Sequence, residues 1–244
     1  MSLIRLTIIL AALAWSAPAL AQGTPTERVS LSVGVAGQMS DTNFSQSITF
    51  EAYAETGSLT TVYTIAPPLR LNVGGVVRLW RGLGAGLAGT SFSGTDPAQI
   101  SGAIPHPITP NQPRTLTGSV GAAHRESALH VVAAYWFRVA PRVDVILSGG
   151  PSFMTVEQDF VSDVTYSQTF PYDSVTFESA TLTHDKKNVI GGNVGAEVGV
   201  RLVSHVGVGG FFRYSRANAA FPDAGVTSVR LGGVEIGGGL HLVF

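Results

Sequence analysis

Apolar and polar residues alternate with a period of two in several segments of this chain. Successive side chains of a strand point to opposite faces, so such alternation predicts a strand with one apolar and one polar face. It is clearest at residues 234–244, where the apolar face would carry Val234, Ile236, Leu240, Leu242 and Phe244. Similar segments lie at 28–38, 69–79, 83–89, 129–138, 143–153, 190–202 and 205–214. The pattern therefore predicts an all-β chain of about eight strands.

The charged residues of these segments fall on one face only. Glu197 and Arg201, for example, share a face opposite Val194 and Val198. The interior of an eight-stranded barrel is narrow enough for side chains to fill, and charges removed from water need partners. A buried polar network in the lumen is therefore predicted. Its candidate members are Arg28, Arg70, Arg78, Arg138, Asp144, Glu197, Arg201, Arg213 and Glu235.

Composition indicates that the apolar face contacts lipid. Only 13% of the residues are charged and the mean hydropathy is +0.27, yet no apolar run after residue 21 is long enough for a membrane-spanning helix. Backbone groups in lipid must be paired internally, which only helices and closed barrels achieve. The prediction is a closed antiparallel transmembrane β-barrel. A soluble β-sandwich or lipocalin-like barrel would also alternate, but its outer face would normally carry more Lys and Glu.

The connections between the segments differ in length at the two ends. Tight turns are predicted at 81–82, 140–141 and 204–205, and long connections at 39–68, 95–124, 161–184 and 218–228. Such alternation is typical of an up-and-down meander with short periplasmic turns and long extracellular loops. The stretch 104–113 contains four prolines, which cannot donate to a strand ladder, and is predicted to be a loop.

The N-terminus has the pattern of a secretory signal peptide. Arg5 precedes an apolar stretch, and Ala19 and Ala21 form an A-x-A cleavage site before Gln22. We therefore expect residues 1–21 to be removed and residues 22–244 to form a single barrel domain. No cysteine is present, so disulfides and thiolate metal sites are excluded.

The chain resembles the small bacterial outer-membrane β-barrel family, of the OmpA-barrel and OmpX type. Members commonly end on an aromatic residue preceded by apolar residues at alternating positions, and Ile236, Leu240, Leu242 and Phe244 fit that pattern. The resemblance implies that this end is a signal read by the barrel assembly machinery. It also implies a location in the bacterial outer membrane, in contact with its lipid.

Candidate catalytic and metal-binding residues are few. The densest cluster is His124, Glu126, Ser127 and His130, but on a strand Ser127 would face away from Glu126 and His130. The other histidines are scattered singly, and each glycine pair lies within a strand, where it cannot form a phosphate loop. No cofactor, metal site or catalytic residue is predicted, and the formal net charge of -1 gives no indication of a nucleic-acid partner.

The predicted function is therefore a non-catalytic structural or surface-interaction role in the outer membrane. An extracellular ligand would bind at the loops, for which the aromatic segment 166–172 is one candidate. Two alternatives stay open. The first is a narrow porin-like channel for small solutes, and the second is a membrane-embedded lipid-modifying enzyme.

Overall fold

The described part of the chain is almost entirely β-structure. A computed structural model describes residues 27–66 and 68–244, so the predicted signal peptide lies outside the described residues. The strands are β1 (Val29–Gln38), β2 (Thr42–Ala52), β3 (Glu55–Ile65), β4 (Leu69–Trp80), β5 (Leu83–Ile104), β6 (Arg114–Ala140), β7 (Val143–Ser167), β8 (Thr176–Arg201), β9 (Val206–Phe221) and β10 (Val226–Val243). Among the described residues, no helix has the length and hydrophobicity needed to cross a membrane.

Eight of these strands close into a ring. β1 pairs with β10 on one side and with β4 on the other, and from β4 to β10 each strand pairs with the next along the chain. The register of the closing pair joins Ser30 to Val243 and Gln38 to Glu235. The predicted antiparallel barrel of eight strands, closed between its first and last strands, is confirmed.

The two ends of the barrel are built differently. At one end β4 and β5, β6 and β7, and β8 and β9 are joined by turns at 81–82, 141–142 and 202–205, within two residues of the turns predicted from the sequence. We call this the short-turn end. At the opposite end, the extended end, the strands continue well past the level at which β1 ends and β4 begins.

The first predicted loop, 39–68, contains a β-hairpin instead. β2 pairs with β3 from Thr42 opposite Ile65 to Ala52 opposite Glu55. β3 then pairs with the distal half of β5, from Ser58 opposite Ala103 to Tyr63 opposite Ala98. The hairpin thus continues the wall of the barrel beyond the ends of β1 and β4.

The other predicted long loops are mostly strand as well. β6, β7 and β8 contain 27, 25 and 26 residues, whereas about 9 to 11 suffice to cross a membrane. The prediction was wrong here because the polarity of the wall reverses. Beyond the membrane level Ala217 points inward and is buried, while Arg216 points outward and is exposed, so the pattern of apolar outward residues stops. The proline-rich loop is confirmed, because β5 ends at Ile104 and β6 begins at Arg114.

Between the short turns and this reversal, the outer surface is an apolar belt and the lumen is polar. On β10, Leu240 is 58% exposed whereas Glu235 is 1% exposed. Beyond the reversal the interior becomes an apolar core, in which Tyr63, Phe160 and Phe221 pack together. A polar lumen is therefore covered by an apolar core at the extended end.

Candidate functional site

The lumen of the belt contains two groups of charged side chains. The turn-end cluster consists of Glu27, Arg78, Arg138, Asp144 and Arg201. The central cluster consists of Gln38, Arg70, Glu126, Arg213 and Glu235. Both clusters exist because each strand places every second residue inside the barrel.

In the turn-end cluster three arginines surround two carboxylates. Asp144 is fully buried, and its oxygens lie 3.0 Å from Arg138 Nε and 3.5 Å from Arg201 Nε. Arg138 lies directly opposite Asp144 in the β6–β7 ladder, so the register itself brings this pair together. The Arg78 guanidinium stacks 4.0 Å from the Trp136 ring and donates to the Glu27 carbonyl oxygen at 3.0 Å.

Glu27 precedes β1 and reaches into this cluster from outside the ladder. Its carboxylate accepts hydrogen bonds from Arg138 Nη2 at 2.9 Å and from Arg201 Nη1 at 2.5 Å. Burial would raise the pKa of Glu27, but hydrogen bonds from its own backbone N–H and from the two arginines lower it from the usual 4.5 to about 2. Glu27 therefore keeps its charge over the whole physiological range.

In the central cluster Arg70 is the hub. Its Nη2 donates to Glu126 Oε2 at 2.7 Å and to Gln38 Oε1 at 2.6 Å, and its Nε lies 3.4 Å from Glu235 Oε1. Arg213 donates to Asn72 Oδ1 at 2.7 Å and lies 4.0 Å from Glu235. The five residues of this cluster come from five different strands, so the cluster fills the lumen and connects opposite walls.

Histidines complete the polar lumen. His124 bridges Gln158 Oε1, at 2.6 Å, and Glu126 Oε1, at 3.1 Å. His241 lies 2.9 Å from Glu197 Oε1. His130 Nδ1 lies 2.7 Å from the Ser152 hydroxyl, which also accepts a hydrogen bond from Asn193 Nδ2 at 2.9 Å.

The structure therefore places eight of the nine predicted lumen residues in the lumen of the belt. Seven of them belong to the two clusters: Arg70, Arg78, Arg138, Asp144, Arg201, Arg213 and Glu235. The eighth, Glu197, pairs with His241. Arg28 differs, because it is exposed at the short-turn end and belongs to neither cluster.

Several lumen residues were not predicted. Glu126 has the same strand parity as Arg138, and a longer reading of the β6 alternation would have included it. Gln38 lies on the polar face predicted for β1, but it was not among the predicted members of the network. Glu27 gave no signal in the sequence, because it lies before the first strand and reaches the cluster only through the tertiary fold.

The side chains nearest to catalytic geometry are His130 and Ser152, which face each other across β6 and β7. Both are fully buried, and no carboxylate contacts either ring nitrogen of His130 among the described residues. Ser127 is exposed on the opposite face from Glu126 and His130, as the alternation indicated. Within the described part of the chain, no group of three or more His, Cys, Asp or Glu residues is placed to hold a metal ion.

At the extended end three connections meet and form what we call the tip surface. These are the β2–β3 turn at 53–54, the proline-rich loop 105–113 and the β7–β8 loop 168–175. Arg114 joins two of them by donating to Pro105 O at 2.7 Å and Gln168 Oε1 at 2.6 Å. Gln168 Nε2 donates to the Tyr53 hydroxyl at 2.7 Å, and the Asn111 N–H donates to Glu55 Oε1 at 2.7 Å.

The tip surface exposes large apolar side chains. Phe170 is 77% exposed, Ile108 61% and Tyr53 46%. Each belongs to a different one of the three connections, and each is held by hydrogen bonds of its own or neighbouring residues. Exposed aromatic and aliphatic side chains on ordered loops are typical of a binding surface.

No protein-family model matches the chain, and no curated protein matches it. Several solved structures do. Neisserial surface protein A is 12% identical, with a TM-score of 0.45, over 88% of this chain and 97% of that protein. The outer membrane protein OprG from Pseudomonas aeruginosa is 11% identical, with a TM-score of 0.47, over 91% and 98%.

A third is Ail, the attachment invasion locus protein of Yersinia pestis, in complex with the heparin analogue sucrose octasulfate. It is 10% identical, with a TM-score of 0.41, over 89% of this chain and 99% of that protein. The ring of eight strands, its apolar belt and its polar lumen are the features that define a transmembrane β-barrel. The chain has the fold of an outer-membrane β-barrel. The narrower resemblance to the OmpA-barrel and OmpX type stays a prediction.

Proposed function

We propose that this protein is a non-catalytic surface-interaction protein of the bacterial outer membrane. The apolar belt would anchor it in lipid, with the short-turn end toward the periplasm and the extended end outside the cell. The tip surface would be its binding face. The observation that supports this role most directly is the exposure of Tyr53, Ile108 and Phe170 on three connections that are hydrogen-bonded to one another.

The connections of the tip surface are already held in place before a partner binds. A loop that must be ordered on binding loses conformational entropy, which weakens the complex. Here Arg114, Gln168 and Glu55 already hold the three connections together. The chemistry of the surface favours a protein partner, because its exposed side chains are apolar and aromatic and its nearby acids, Glu55 and Asp173, do not suit an anionic glycan.

The test uses outer-membrane vesicles from bacteria that express the full chain. Binding to immobilised fibronectin, laminin and collagen is compared between wild type and the variant Ile108→Ser/Phe170→Ser. We expect the variant to lose about tenfold or more in affinity for the protein that wild type binds, since large side chains buried at the centre of an interface each contribute about 1 to 2 kcal/mol. The matched control is Leu202→Ser/Val203→Ser, which removes exposed apolar side chains from a short turn.

Equal binding by wild type and by the Ile108→Ser/Phe170→Ser variant would contradict a role for the tip surface. The two alternatives leave other signatures. A channel would conduct ions across a planar bilayer, and a lipid-modifying enzyme would release acyl or sugar fragments from outer-membrane lipid. In the second case Ser152→Ala would abolish the activity, because Ser152 and His130 are the nearest approach to a nucleophile and its base.

A further inference from the structure

A cleft lies on the outer wall of the barrel where the apolar belt ends. It has a volume of about 580 Å³ and is bounded by the start of β2 and by the outer faces of β9 and β10. Its floor includes Gly232 and Gly233, which have no side chains and have positive φ values of 78° and 146°. A side chain at either position would be strained, and its Cβ would meet Ser215 or Gln38 on the inner side of the wall, so only glycine fits the backbone beneath the cleft.

The cleft spans the boundary between the apolar and the polar parts of the outer wall. Tyr214 and Val234 lie directly opposite each other in the β9–β10 ladder and line its lower border. On β9 the next outward residue is Arg216, which is two residues, about 7 Å, farther from the belt. On β10 the first outward charge is Arg230. An apolar border therefore lies beneath a cationic one.

The two arginines are placed to act together. Arg216 pairs with Gly232 and Arg230 pairs with Asn218, so the arginines are diagonal neighbours on adjacent strands. Such diagonal neighbours lie about 7 to 8 Å apart, and their Cβ atoms are somewhat closer. That separation lets two guanidinium groups converge on one tetrahedral anion, for which their planar donor geometry is well suited.

Neither arginine has a partner in the described part of the chain. Both side chains are exposed and form no hydrogen bond or ion pair with another described residue. Other exposed basic residues of the outer wall differ in this respect: Arg125 and Lys186 lie 3.7 Å and 2.8 Å from the carboxylate of Glu157. The only acidic residue in the cleft lining is Asp41, so the cleft has an excess of positive charge.

We infer that this cleft binds the phosphate of an anionic membrane lipid, with Arg216 and Arg230 holding the phosphate and Tyr214 and Val234 contacting the apolar part of the same molecule. A lipid headgroup and a free phosphate share this chemistry. The apolar border favours the lipid, because only a lipid has apolar groups that can contact it. The inference depends on the outer-membrane location proposed above but not on the tip surface.

The test measures lipid binding by native mass spectrometry on the full chain, expressed with its leader, extracted from outer membranes and delipidated in detergent. The probes are lipid A with two phosphates, the same lipid without phosphates, and inorganic phosphate. We expect wild type to bind the phosphorylated lipid at least about tenfold more tightly than the dephosphorylated one. The variant Arg216→Gln/Arg230→Gln should lose that preference. The matched control Arg81→Gln/Arg142→Gln, which removes two exposed arginines from the short turns, should keep it.

A second variant tests the site without relying on a loss of binding, which misfolding could also cause. Asp41→Asn removes the one negative charge of the cleft and should increase affinity for the phosphorylated lipid about two- to fivefold. The inference is overturned if wild type does not distinguish the two lipids, or if the double variant binds like wild type. It is also overturned if inorganic phosphate competes at concentrations similar to the lipid, because the site would then be one for a free anion. Binding in this assay does not involve the tip surface, so it can succeed or fail independently of partner binding there.

Discussion

At the residue scale, buried charges in the lumen lie beside opposite charges from distant parts of the chain. Arg70 contacts Glu126 and Glu235, and Asp144 lies between Arg138 and Arg201. Removing one member of such a buried ion pair lowers the free energy of unfolding by more than the intact pair contributes to it, because the remaining charge stays buried without a partner. The lumen charges therefore constrain which strands lie opposite one another.

Glu27 provides a pH-dependent test of the turn-end cluster. Its pKa is lowered to about 2 in the folded protein, so its stabilisation is fully present above the unfolded pKa of about 4.5 and is lost as the pH falls toward 2. We expect Glu27→Gln to be about 1 kcal/mol less stable than wild type at neutral pH, after allowance for solvent screening. The two proteins should become similar in stability near pH 2.

The measurement is the free energy of unfolding in urea, in detergent micelles, between about pH 6 and pH 2.5. Glu178→Gln, which alters an exposed carboxylate on β8, is the control and should follow wild type. A constant gap between wild type and Glu27→Gln across this range would contradict the lowered pKa.

At the element scale, the strands combine a membrane-spanning part with a part that is built like a soluble sheet. Within the belt the apolar side chains point outward, whereas beyond it they point into the core around Phe160 and Phe221. Burial raises the pKa of Tyr63 to about 12, so the phenol stays neutral. Its hydroxyl donates to Gln46 Oε1 and accepts from the Val161 N–H, which links β3 to β7 across the interior.

The face assignment of β10 can be tested by placing a charge in the belt. Leu240→Arg should destabilise the folded protein by about 2 to 4 kcal/mol, because Leu240 points outward and an arginine there would enter lipid. Thr183→Arg, on the exposed distal part of β8, should change stability by less than about 0.5 kcal/mol. Unfolding in urea after refolding into lipid vesicles measures both. Similar losses for the two variants would mean that Leu240 does not face lipid.

The predicted assembly signal lies on this same strand. Ile236, Leu240 and Phe244 are exposed on the outer face, and the Phe244 backbone bonds to Val29 and Arg28. These residues thus help to close the barrel. Their recognition by the assembly machinery stays a prediction.

At the scale of the whole molecule, the route through the barrel is blocked twice. The central cluster joins opposite walls of the lumen through Arg70 and Glu235, and the apolar core closes the extended end around Phe160 and Phe221. Water and ions would have to displace buried ion pairs and then pass an apolar barrier, both of which are energetically costly.

We therefore expect refolded wild-type protein to give no stable conductance steps in a planar bilayer. Gramicidin is added afterwards to the same bilayer, as a control that this bilayer can report single channels. Heat-modifiable migration on unboiled gels confirms that the protein under test is folded. Reproducible single-channel steps from folded protein would contradict this expectation and support the porin-like alternative.

The sequence alone determined the eight spanning strands, their faces and the inward direction of Arg70, Asp144 and Glu235. It could do so because lipid on one side and a narrow lumen on the other impose a strict period of two on every residue of the belt. The same rule located the short turns at 81–82 and 204–205, where the alternation stops.

Only the tertiary structure decided what lies beyond the belt and which charges meet. The hairpin of β2 and β3 and the distal parts of β6 to β8 carry their apolar residues inside, so the rule that identified the belt does not apply there. Glu27 meets Arg138 and Arg201, 111 and 174 residues away, only because the ring brings the ends of several strands together. The tip surface and the cleft that contains Arg216 and Arg230 likewise combine residues from separate segments. A local sequence pattern cannot predict contacts between segments so far apart.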